Sequence, residues 1–293
     1  MRIRGCALAK TSNSLLREAV RRFASYKLSI VGLVIVGVIT LMAFFASKIA
    51  PLGPTEINLE AVGQAPGGVY FLGTDDVGRD VWARVIFGAR TSLTVGVGAV
   101  SIALLIGISV GLASGYFGKW VDTILMRITD GFMSVPPLIL IIVFIAIVGP
   151  SLLSVILVIA LTTWPTSARV VRGQVLTLRE QEFLVAAKVM GVSDSKAVFV
   201  HIFPKLLGPL SVVATFGIAS AILIEAGLSF LGLGVRPPTS SWGQMVNLAQ
   251  QPDILLDKVW IWIPSACMIV ITVLAINFIG DGLRKAVDPK SVR

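Results

Sequence analysis

Charge is missing from five long stretches of this chain, and that absence limits the possible folds more than any other feature of the sequence. Residues 28–47, 91–118, 131–168, 206–224 and 259–280 contain no Asp, Glu, Lys or Arg. As a helix, about 20 apolar residues cross the roughly 30 Å of hydrocarbon in a bilayer. Inside that hydrocarbon, helices satisfy their own backbone hydrogen bonds. The 131–168 stretch is 38 residues long, room for two crossings broken at Gly149-Pro150-Ser151. The pattern therefore predicts an all-α integral membrane protein with six transmembrane helices and both ends on one side. A chain that is 55% hydrophobic and only 14% charged is no soluble globular domain.

The remaining charges give the expected orientation. Segments assigned to the inside hold 19 Lys and Arg against 6 outside, which predicts cytoplasmic termini. The plan is a basic cytoplasmic tail over 1–27, a first helix over 28–47 and an outer segment over 48–90. A core of five further helices covers 91–280, with a cytoplasmic loop at 169–205, and a short cytoplasmic tail covers 281–293. Residues 14–23 can form an amphipathic helix in the interface. The net charge of +9 is accounted for by these inner loops, so nucleic acid is not an expected partner; membrane lipid is. Cys6 and Cys267, at opposite ends, suggest neither a disulfide framework nor a metal site. Gly107-x3-Gly111-x3-Gly115 allows close approach of another helix. Pro136-Pro137 and Pro165 should bend their helices, as hinges or as fixed kinks.

A polar island, 179–209, stands between two apolar runs. It reads as a helix with Phe183, Ala187 and Met190 on one face, a turn at Gly191, and a second helix with Ser193 as its cap and Asp194 in its first turn. Pro204 is expected to end that helix. Val198, Ile202 and Phe203 form an apolar stripe suited to a partner's groove or to the membrane helices of the same chain. The only Gly-Lys pair, Gly118-Lys119, is followed by Trp120 and has Ala113 where a P-loop needs its first Gly, so no nucleotide site is expected. His201, the single histidine, has no second ligand in sight.

Three stretches carry a family resemblance. Val185-Ala186-Ala187-x3-Gly191-x10-Ile202-Phe203-Pro204 resembles the EAA loop of permeases that dock on a cytoplasmic ATPase. The segments FLGTDDVGRDVWARVIFGARTSL at 71–93 and EAGLSFLGLGVRPPTSSWG at 225–243 are similar to blocks of the C-type permease subunit in ATP-binding-cassette importers of the dipeptide, oligopeptide and nickel group. Two positions depart from the pattern, Val185 where the family has Glu and Phe203 where it has Leu. Glu180 and Glu182 keep the loop acidic within about a turn.

The resemblance implies a type I importer permease of the bacterial inner membrane, forming half of a pathway for di- or oligopeptides. A nickel complex or another small solute is the alternative cargo. It also implies coupling to the ATPase through Glu182, Ala186, Ala187, Gly191, Ser193, Asp194, Val198, His201, Ile202, Phe203 and Pro204. The implied partners are a second homologous permease in a heterodimer, two cytoplasmic ATPase subunits that hold ATP and Mg, and an extracytoplasmic substrate-binding protein. No cofactor is expected in this chain. Glu225 lines the path or caps the membrane edge. Asp75, Asp76, Arg79 and Asp80 pair internally or meet the binding protein, and the outer loop with Arg236 and Trp242 receives that protein or sits at the headgroups. A stand-alone secondary transporter needs ion-coupling carboxylates at mid-membrane, and apart from Glu225 the runs supply none. An intramembrane enzyme needs a nucleophile with a base, or a metal cluster, and the sequence shows neither.

Overall fold

The structure is a computed structural model that describes residues 20–287. The basic tail and most of the 14–23 helix lie outside the described residues, as does the end of the C-terminal tail; residues 20–25 are helical. The long helices are α1 (Lys27–Phe44), α2 (Val81–Phe117), α3 (Lys119–Met133), α4 (Pro137–Val148) and α5 (Leu152–Arg179). They are followed by the short α6 (Glu182–Val189), α7 (Asp194–Phe230), the short α8 (Trp242–Asn247) and α9 (Ile263–Val287). Among the described residues, five helices, α1, α2, α5, α7 and α9 with the turn before it, are long and apolar enough to cross a membrane, and the pair α3 and α4 brings the number to six if it counts as one span.

Burial follows a membrane pattern. Leu33, Val34, Val38 and Leu41 on α1 and Ile139, Val143 and Ile147 on α4 are exposed, an apolar surface that water would not tolerate over such length. Contacts between helices rest on small residues. A Cβ added at Gly107, Gly111 or Gly115 of α2 would lie 2.6, 2.6 and 2.8 Å from Ser167, Val171 and Val175 of α5. The expected close approach is therefore the main seam of the bundle. Gly32 of α1 likewise meets the Ala275 carbonyl of α9, where a Cβ would come within 2.4 Å.

Several boundaries differ from expectation. The second long helix begins at Val81, so 81–90, at the end of the expected outer segment, is helical. Asp80 caps it by accepting from the Trp82 and Ala83 N–H groups, and its early arginines Arg84 and Arg90 both find partners. Arg90, for example, donates to the carbonyls of Ala43 and Phe44 at the end of α1, where a cation suits the helix dipole.

The third crossing is no single rod. α3 and α4 meet at 83° across Ser134–Pro136, and the 12 residues of α4 cover only about 18 Å. Charge pairing holds α3 along α5: Arg172 clamps Asp122 through two bonds of 2.5 and 2.6 Å, and Arg169 reaches Asp130 at 2.6 Å. These arginines tie two helices together. Both pairs are partly exposed, so each contributes a small stabilisation.

Pro204 does not end its helix. α7 runs unbroken from Asp194 to Phe230, and its residues Ala197–Ile202 form a π-helical stretch just ahead of the proline. The wider π turn shifts the hydrogen-bond register, and that change of register accommodates a residue with no N–H. Finally, α7 carries on past 224 to Phe230, and α9 past 280 to Val287.

Candidate functional site

The polar island lies at the C-terminal end of α2, opposite the Asp75 cluster; about 48 Å of helix separates Arg84 from Tyr116. α6 turns back on itself through Gly191, which sits at φ +79° while the Val192 N–H bonds the Ala187 carbonyl at 3.1 Å, the closure of a Schellman turn. Ser193 occupies the cap position of α7, although its hydroxyl makes no capping bond. Asp194 in the first turn accepts a 2.5 Å bond from the Tyr116 hydroxyl, and Arg179 donates to the carbonyls of Gly115 and Tyr116. These ties bolt the island to the end of α2.

The open question about the apolar stripe resolves residue by residue. Ile202 is fully buried with Leu184, Ala197 and Leu206 against Val171, Val175 and Leu178 of α5, while Val198 and Phe203 are half-buried against the same cluster. Ile202 therefore holds the island to its own chain. What faces outward is a different apolar set: Val185, Val189, Met190, Phe199 and Val200. Ala187 is buried, whereas Ala186 and Glu182 are exposed; His201 is half-buried and Pro204 exposed. The buried face of α6 is Leu184 and Ala187, not Phe183, Ala187 and Met190; Phe183 instead stacks under the Lys205 ammonium at 3.6 Å. Fourfold spacing of Val185 and Val189 was a readable signal for the outward face. The bond between Tyr116 and Asp194 had no local signal at all.

Midway along the bundle, α2, α5 and α7 enclose a groove of about 400 Å³. Val100, Phe216 and Ala221 make it mostly apolar, and Thr163, Thr166, Ser167 and Ser220 add hydroxyls. It lies beside Pro165 of α5, where the helix lacks one backbone donor. Glu225 is not on this groove. It is wholly buried on α7, accepting from Ser229 at 2.7 Å and Ser92 at 3.2 Å. A buried carboxyl group satisfied by hydroxyls ties α2 to α7.

At the far end, Asp75 is a buried hub. One of its oxygens accepts from Arg79 Nε and Arg84 Nη1, both at 2.7 Å, and the other from the backbone N–H groups of Val77 and Arg79. Arg84, itself 2% exposed, also donates to Gln244 at 3.0 Å. Trp242 is fully buried, its indole N–H on the Val85 carbonyl. Asp75, Asp80 and Trp242 are thus structural, and of the six residues at this end only Asp76, Arg79 and Arg236 reach the surface. Burial, and then the charge of Asp75, raises the Asp76 carboxyl above its ordinary range against the pull of Arg79 and Arg84. Burial likewise raises Asp80, against its two backbone N–H bonds.

Comparison with known proteins agrees with this architecture. Residues 103–293 match the family described as binding-protein-dependent transport system inner membrane component, and residues 14–66 match the N-terminal TM domain of oligopeptide transport permease C. The dipeptide transport system permease protein DppC of Alkalihalophilus pseudofirmus is 41% identical over 96% of this chain and 91% of its own. The oligopeptide transport system permease protein OppC of Bacillus subtilis is 40% identical over 97% and 92%. In fold, the chain resembles the MetNI methionine ABC transporter in an inward-facing form, with a TM-score of 0.56 at 22% identity, covering 70% of this chain and 96% of that one. An all-helical bundle with an α6–α7 elbow, matched along nearly its whole length, belongs to the inner membrane components of binding-protein-dependent transport systems, in the dipeptide and oligopeptide permease group.

Proposed function

We propose that this chain is one half of a peptide-conducting pathway, worked from the cytoplasm by separate ATPase subunits through the α6–α7 elbow. The observation that carries the reading is the elbow itself: a rigidly bolted turn that leaves Val185, Val189, Met190 and Phe199 outward. An exposed apolar patch of that kind marks an interaction surface. Because the elbow is continuous with α7, displacement of Gly191 and Asp194 is transmitted along a 37-residue helix to the groove at Ser220. A second permease subunit closes that groove from its open side. ATP and Mg belong to the ATPases, and this chain performs no chemistry. Both termini lie in the cytoplasm, and an extracytoplasmic protein delivers di- or oligopeptides to the end that carries Asp76 and Arg236. The relatives at about 40% identity, named for dipeptide and oligopeptide transport, support that cargo.

The test is reconstitution. The tagged chain, co-purified with its co-encoded partners in proteoliposomes, takes up a labelled di- or oligopeptide only with ATP and the delivery protein. ATP-independent uptake by the chain alone would refute the reading. Gly191→Val probes the elbow. Nothing lies within 4 Å of a Cβ there, so the damage comes from the positive φ and not from collision; a β-branched residue in that region costs about 1–2 kcal/mol. Uptake falls at least tenfold while the chain still inserts. Gly191→Asn, which tolerates left-handed backbone, retains most activity, and equal loss in both variants would locate the requirement elsewhere.

A further inference from the structure

Between the end of α7, α8 and the Asp75 hub lies a polar cavity of about 270 Å³. Arg79, Arg84, Arg236, Asp76, Gln244 and Ser229 line it. Three arginines face one lining aspartate and Asp75 behind it, which leaves one net positive charge. Asp75 is already engaged by Arg79 and Arg84, and buried Arg84 retains an Nε that donates to nothing among the described residues. Arg236 is exposed at the rim and forms no ion pair or hydrogen bond among the described residues. A buried guanidinium with a spare donor, next to an unpaired exposed one, is a receptor for a carboxylate.

We propose that this cavity receives an aspartate or glutamate side chain of the substrate-delivering protein. The inference rests on the importer reading above and adds a specific seat to it. Cargo is the other source of a carboxylate, but the position of the cavity argues against it. Ser229 follows Ser220 by nine residues, two and a half turns, so the two project from opposite faces of α7. Ser220 faces the central groove, and the arginine cavity therefore opens on the side of α7 away from it. Gly232 and Pro237, which also line it, are exposed in the loop after α7.

The test uses the assembled transporter in nanodiscs with its co-encoded delivery protein. Arg236→Glu weakens binding of that protein about tenfold and flattens its salt dependence. In a second variant, Arg236→Lys, a zero-length carbodiimide joins the new amine to a carboxylate in contact with it, and peptide mapping identifies the carboxylate. A link to an Asp or Glu of the delivery protein is the expected result. A link to the C-terminal carboxylate of a labelled peptide, a link only to Asp76 of the same chain, or no link would each overturn the proposal. Failure of the unaltered transporter to bind the delivery protein would overturn the importer reading as well, whereas normal binding without the link removes only this seat.

Discussion

Replacing Gly111 by Leu is expected to dismantle the bundle. The first added atom would lie 2.6 Å from Val171 Cβ and 2.7 Å from the Ala168 carbonyl, and the second of these is backbone. A side chain can rotate away, but a helix backbone can only move as a unit, so α2 and α5 must separate along their seam. Overpacking typically costs about 1–3 kcal/mol, and a clash with backbone in the principal helix contact should reach or exceed the top of that range. The Cβ of Gly107 would be 3.0 Å from both the Trp164 carbonyl and the Ala168 N–H, so separation there is shared along the seam. The measurement is thermal unfolding of the detergent-solubilised chain together with its steady-state level in membranes. Gly131→Leu is the control, since nothing lies within 4 Å of a Cβ at that site. Similar unfolding temperatures for the two variants would show that the seam does not hold the fold.

Asp75→Ala should be nearly as damaging, for an electrostatic reason. Arg84 is 2% exposed, and its charge is balanced by a carboxylate that is itself 0% exposed. Removal of one member of a buried pair costs about 3–5 kcal/mol, because the other charge stays buried without compensation. The same change frees Arg79, which is better solvated and retains Asp76 at 3.6 Å. Unfolding of the 48–80 segment is read by limited proteolysis, and the prediction is early cleavage there with α5 and α7 intact. Pairing the change with Arg84→Met should recover a large part of the loss, since the uncompensated buried guanidinium is then gone. Early cleavage that persists undiminished in the double variant would assign the effect to the backbone bonds from Val77 and Arg79.

The two hubs differ in what the sequence could show of them. Gly111 announced itself through its spacing, because small residues every four positions have few uses in a membrane helix other than close approach. Asp75 sat in a cluster of charges whose burial no local pattern reveals; its partner Arg84 lies nine residues away in a helix that then read as loop. Trp242, expected at a surface, is instead the largest fully buried side chain. Its indole is held by a carbonyl 157 residues distant.

By itself the sequence determined what depends on solvent and on neighbouring residues. Uncharged runs long enough to cross a bilayer fixed the class of fold, and Gly191 fixed a left-handed turn, since few other residues adopt that backbone. Only the tertiary structure decided which side of each helix is free. Ile202 and Phe199 are three residues apart and equally apolar, yet one is clamped beneath α5 and the other faces outward. That choice is made by helices distant in the chain, because packing against a neighbour can outweigh the local preference of any single residue.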